Sequence, residues 1–292
     1  MQIDLKPSSE AANSINIHLQ PVSAWAVFKA TVIKDLLIAK RYLPNLIGYL
    51  VQLAIRMLFF LLLSTIIDVD VKEVVGRNLN NTDLFIFIQG ALLLLVFNRT
   101  GLWTPLAAVS RDLYNGTLEF LYSNPSSRYA YYAGTVAAEA VISMVAFLPL
   151  YLILVLLSAV DLINMLMILL VCATVLMALI AMGIMIGLLG LLWRQVDSIA
   201  GIIAISLEFL AGAYFPVAAF PEPIQYLAYL LPHTWGYDLV RYYSFSGEWK
   251  TIFPIWQEWA ILIAFAIFFT LFSRYLLEKV EDKAKKEGLH LI

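Results

Sequence analysis

Six long apolar runs, at residues 46–67, 84–103, 132–158, 162–193, 198–220 and 255–277, constrain this chain more than any other feature. A helix needs about 20 apolar residues to cross a hydrocarbon core about 30 Å thick. Inside that core every backbone N–H and C=O must find its partner within the segment, which leaves the helix as the natural form of such a run. Composition agrees: 62% of the residues are hydrophobic and 14% charged, with a mean hydropathy of +0.83, where a soluble domain carries about 25% charged residues. The expected fold is an all-α integral membrane protein with six transmembrane helices, spanning 46–277. The fourth run is longer than a straight crossing needs and is expected to tilt, bend or project beyond the bilayer.

Charge placement sets the orientation. With both termini on the cytoplasmic side, thirteen of the 19 Lys and Arg residues fall on inner segments and four on outer loops, the asymmetry expected when basic residues are retained inside. Residues 1–20 are polar and mixed in charge, unlike a cleavable leader. Residues 1–45 read as a cytoplasmic tail followed by an amphipathic interfacial helix, and 278–292 as a charged cytoplasmic tail. In that first helix Trp25, Phe28, Val32 and Leu36 recur at spacings of three and four, with Lys29, Lys34, Lys40 and Arg41 around them, a pattern suited to a helix lying in the inner interface.

Two further segments are more than connectors. Residues 104–131 hold an Asn115-Gly116 breaker, then Thr117 as a helix cap before Leu118-Glu119-Phe120-Leu121, then an Asn124-Pro125 stop, which predicts a short amphipathic helix on the cytoplasmic face. Residues 216–250 are punctuated by Pro216, Pro221, Pro223 and Pro232, which break an apolar stretch into pieces too short to cross. Short re-entrant helices are expected between spans five and six, with Tyr226, Tyr229, Trp235, Tyr237, Tyr242, Tyr243, Trp249, Trp256 and Trp259 forming an aromatic belt at the outer boundary.

Arg111 followed by Gly116-Thr117-Leu118-Glu119, with Pro125 and Arg128 behind, resembles the stretch between helices two and three of the ATP-binding-cassette type-2 exporter permeases. Gly212, Phe215-Pro216, Pro221, then Leu231-Pro232 through Asp238 and Arg241 resemble that family's stretch after helix five. With six spans and the N-terminal helix, the resemblance covers nearly the whole chain. It implies a membrane-spanning subunit, paired with a second permease as a homodimer or heterodimer, in the cell membrane. A cytoplasmic ATPase partner would use the ATP, and this chain would bind no cofactor of its own. Arg111, Gly116, Thr117, Leu118, Glu119 and Arg128 would then receive the ATPase's movement, and a drug or lipid would be carried outward. Polysaccharide-exporting members carry an Arg-Tyr segment before the first helix. Here Lys40-Arg41-Tyr42 runs on into Leu43-Pro44-Asn45, which favours a hydrophobic cargo over a glycan or glycolipid. An ion-coupled secondary transporter is the reading from another class.

Four of the ionisable residues in the apolar runs form two pairs by depth. Arg56 and Glu208 sit near the middle of the first and fifth, at matched depth, and are expected to pair, because a charge at the bilayer centre costs about 3 kcal/mol and seeks a partner. Arg99 and Glu139 are matched near the cytoplasmic ends of the second and third. Gly183, Gly187 and Gly190 suggest a close-packing face within the subunit. Other functions are poorly supplied. Cys172 is the single cysteine and the three histidines are far apart, so no metal site is expected. A net charge of −2 gives no footing for nucleic acid. The sequence contains no G-x-x-x-x-G-K-[ST] phosphate cradle, H-E-x-x-H or G-x-S-x-G, and His233 with Asp238 is the only outer-face pair suggestive of catalysis.

Overall fold

The computed structural model describes residues 22–66, 81–108, 127–193 and 196–287. Among them there is no strand. The helices are α1 (Ala24–Arg41), α2 (Leu43–Ile66), α3 (Asn81–Asn98), α4 (Arg128–Ser158), α5 (Leu162–Trp193), α6 (Val196–Ile205), α7 (Glu222–Tyr229), α8 (Pro232–Ser244) and α9 (Ile255–Glu287). A π-helical turn, Arg99–Trp103, prolongs α3, and another, Ser206–Leu210, prolongs α6.

Among the described residues four stretches are long and apolar enough to cross a membrane: Thr82–Ala108, Tyr129–Ser158, Leu162–Ile186 and Ile255–Lys279. A fifth is possible if α1 and α2, bent by 77° where they meet, count as one span. The apolar run expected over 198–220 is shorter as a helix. It ends at Leu210, because Gly212 turns the chain at φ +90° and Pro216 opens a separate 3₁₀ turn, Val217–Ala219. Only glycine takes that backbone conformation without strain.

The bundle is built around α3. Of its apolar stretch 88% is buried, against 17% for α9 at the periphery. Lipid tails are as apolar as leucine, so helices in a bilayer approach closely where side chains are small. Gly101, in the π-helical turn, meets Gly183 of α5 so tightly that a Cβ on Gly183 would lie 2.0 Å from the Gly101 carbonyl oxygen. Gly183 therefore packs inside the subunit. Nearby, α1 crosses α4 at Gly134, where a Cβ would come within 2.9 Å of the Phe28 carbonyl oxygen. That crossing half-buries Phe28, Val32 and Leu36 and buries Thr31, while Trp25 stays 70% exposed. The apolar stripe of α1 thus serves mainly the contact with α4, with Trp25, Ile33 and Leu37 facing outward.

The prolines between α6 and α8 act as helix starters. Pro216 and Pro221 precede the 3₁₀ turn and α7, and Pro232 is the first residue of α8, where a fixed φ and a missing N–H cost nothing. Helix α8 then wedges among α3, α5 and α9. The expected aromatic belt divides accordingly. Trp235, Tyr237, Tyr243 and Trp249 are core residues, Tyr229, Tyr242 and Trp259 are half-buried, and only Tyr226 and Trp256 stand exposed. Contact with other helices, and not a lipid boundary, accounts for most of these rings.

Candidate functional site

Arg56 and Glu208 come together from residues 152 apart. Arg56 Nη1 on α2 donates to Glu208 Oε1 in the π-helical turn after α6, at 2.5 Å. The Tyr214 hydroxyl donates to the same oxygen from the loop beyond. A charge-assisted bond of this kind contributes about 1.5–3 kcal/mol, and both partners are relieved of an uncompensated charge in an apolar surround. The pair is only partly enclosed, with 33% of the Arg56 side chain and 18% of Glu208 accessible. Beside it lies an open cavity of about 590 Å³ between α2, the end of α3 and α6. Asn45, Gln52 and Asn98 add polar groups to its wall, Trp103 closes one side, and Arg56 and Glu208 form part of the lining. A π-helical turn flanks the cavity on each side, at Arg99–Trp103 and Ser206–Leu210, and such turns often mark functional positions in helices.

A second polar cluster lies on α8, between the loop after α6 and the stretch before α9. Arg241 is 3% exposed and its Nη2 donates to the carbonyl oxygens of Gly212 and Ala213 at 2.7 and 2.8 Å. Its guanidinium lies 3.5 Å from the centre of the Phe87 ring, a cation–π contact in a dry site. Asp238, one turn earlier and 5% exposed, accepts from Trp249 Nε1 at 2.7 Å and from the Ile252 N–H at 2.8 Å. Glu258 of α9 accepts from the Phe253 N–H at 3.0 Å. Together these residues tie the loop after α6 and the stretch before α9 to one short helix. His233 does not join Asp238. Its ring stands edge-on to Tyr237, is fully enclosed, and burial pushes it down to about 3, so the imidazole stays neutral.

The other expected site residues are divided. Arg111, Gly116, Thr117, Leu118 and Glu119 lie outside the described residues, and Arg128 opens α4 with its side chain outside the description. Arg99 begins its π-helical turn, but its side chain is likewise outside the description, while Glu139 lines a separate cavity among α1, α2, α3 and α4. Polar contacts from α3 and its π-helical turn to α4 include Thr100 with Ser143 at 2.5 Å and Gln89 Nε2 donating to the Leu150 carbonyl oxygen at 3.0 Å. Sequence reasoning did not single out Tyr214, Glu258 or Asp35, nor the structural part played by Arg241. An arginine three residues after an aspartate among tyrosines reads as a surface helix until the elements packed on it are known.

The family model described as ABC-2 type transporter matches residues 24–245, which runs from the first residue of α1 to the end of α8 and takes in both polar clusters. The Bacillus subtilis (strain 168) protein named "Putative transport permease YvfS" is 32% identical over 100 residues, a stretch that covers 32% of this chain and 37% of that one. The chain thus matches little more than a third of that relative's length. With helices built to cross a bilayer and a family match over three quarters of its length, the chain belongs to the ABC-2 type transporters and is a multi-pass membrane permease.

Proposed function

We propose that this chain is the membrane-spanning subunit of an ATP-driven exporter, moving a hydrophobic or amphipathic drug or lipid out of the cytoplasm or inner leaflet. The observation that carries the reading is the open cavity of about 590 Å³ between α2, α3 and α6, which ends against the Arg56–Glu208 pair. A route of mixed polarity, with an internally compensated charge pair in its wall, lets an amphipathic molecule pass without leaving a bare charge in lipid. In this reading α2, α3, α4, α5, α6 with its loop, and α9 are the six spans, with both termini cytoplasmic. Helices α7 and α8 are the re-entrant pair at the outer face. A second permease copy completes the route, and residues 104–131 dock a cytoplasmic ATP-binding-cassette subunit that supplies the energy. Family membership supports the partner ATPase.

The test is to purify the tagged chain from its own cell in mild detergent and assay the ATP hydrolysis that accompanies it, with and without Glu119→Arg. A stoichiometric ATPase should co-purify, and its association or activity should fall at least severalfold in the variant, since reversing a charge at a docking surface sets like charges against each other. A stable chain with no ATPase would overturn the exporter reading and favour an ion-coupled carrier centred on Arg56 and Glu208.

A further inference from the structure

A second cavity, of about 360 Å³, opens at the elbow between α1 and α2, bounded by the end of α3 and the first turns of α4. It is within the size range of small-molecule sites. Two carboxylates, Asp35 and Glu139, line it, and none of the described lining residues is basic. Asp35 offers its Oδ1 to Lys34 at 3.3 Å, and Lys34 leans over the Tyr131 ring. Asp35 Oδ2 is buried with no hydrogen-bonding partner among the described residues, although the Asp35 side chain is only 12% exposed. Thr135, 5% exposed, also lines the cavity, and its Oγ1 is buried without a partner among the described residues. Buried polar atoms are nearly always satisfied, and those that are not point to a missing group. What is missing here is a donor for Asp35 Oδ2 and a partner for Thr135 Oγ1.

The remaining wall says what kind of donor. Tyr42 and Trp103 bring aromatic rings, and Ile38, Leu46 and Ile142 bring apolar surface. A hard metal ion asks for about six oxygen ligands, which this lining does not converge. An organic ammonium asks for one or two carboxylates, an aromatic face and an apolar slot for its body. We infer that this cavity binds a lipophilic organic cation, an ammonium on an apolar skeleton, with Asp35 and Thr135 as the anchoring groups. The inference rests on the permease reading and names a substrate class for it. Asn45 and Trp103 line this cavity and also the larger one at Arg56–Glu208. The two spaces therefore share part of their wall.

The test uses the purified full chain in lipid nanodiscs without ATP, so that its result is independent of any partner ATPase. The probe is dansylcadaverine, an environment-sensitive fluorophore carrying a primary ammonium, compared with dansyl-6-aminohexanoate, which carries a carboxylate in its place, with empty nanodiscs as the partition blank. Saturable binding of the cationic probe alone is expected. Asp35→Asn should weaken it about tenfold and the isosteric Thr135→Val severalfold, as loss of a charge-assisted and a neutral hydrogen bond predicts. Asp161→Asn, which alters a carboxylate that caps α5 far along the chain, should leave it unchanged. Equal binding of both probes, a signal no greater than that of empty nanodiscs, displacement by micromolar calcium, or Asp35→Asn binding as the parent would each overturn the inference. ATPase co-purification would be untouched by any of these results, so the two proposals fail separately.

Discussion

The two polar clusters of this molecule use the same chemistry to opposite ends. On α8, Arg241 and Asp238 are 3% and 5% exposed, and their hydrogen bonds go to neighbouring backbone and an indole. In the cleft, Arg56 and Glu208 keep 33% and 18% of their side chains accessible and meet beside an open cavity. A sealed network fixes one arrangement, since each of its bonds is strengthened by the dry surround and costly to break. A half-open pair can exchange partners with water or a passing ligand at lower cost. The difference separates a scaffold that holds the chain on either side of α8 from a pair open to exchange.

The largest effect is expected where the scaffold is cut. Arg241→Met removes the donor to two buried carbonyls and leaves Asp238 without its neighbouring cation, a loss on the order of 3–5 kcal/mol. Thermal unfolding in mild detergent should then show little folded protein, and a variant that melts like the parent would erase the distinction between the clusters. A smaller loss is expected in the cleft. Arg56→Ala and Glu208→Ala should each cost about 1–3 kcal/mol. The double variant should cost less than their sum by more than about 0.5 kcal/mol, because the second truncation removes a partner already stranded. Strictly additive melting shifts would count against the pair. The smallest effect belongs to Asn98→Ala. Its Oδ1 is buried without a hydrogen-bonding partner among the described residues and it lines the cleft. Melting should move by no more than about 0.5 kcal/mol, and a larger drop would place Asn98 on the scaffold side.

Much of this fold is legible as lengths. The fourth run coincides with α5 over Leu162–Trp193, and the first lies in α2 from Leu46 to the last described residue, Ile66. Arg56 and Glu208 could be matched from depth alone, because two opposite charges at one level of a bilayer have few other partners. Lengths mislead where the apolar run continues past a conformational break. Nothing hydrophobic changes between Leu210 and Phe220, but Gly212 at φ +90° ends the helix. The belt of aromatics misleads for a different reason. Tyrosine and tryptophan suit an interface and a core alike, and only the elements packed around α8 decide which rings are enclosed. The acid-lined cavity is the least legible of all. Asp35 and Thr135 are separated by a hundred residues, and they share a wall because Gly134 lets α1 lie close on α4.

The ion pair also has a history within each molecule's synthesis. Arg56 and Glu208 are 152 residues apart, and a ribosome adding about 5–20 residues per second takes roughly 8–30 s to cover that distance. For that time α2 carries an arginine without Glu208, and its placement in lipid costs about 3 kcal/mol. The lone guanidinium is drawn toward the headgroups until the turn after α6 is delivered. Assembly of this bundle is therefore ordered in time by a contact that, once made, leaves no trace of the delay.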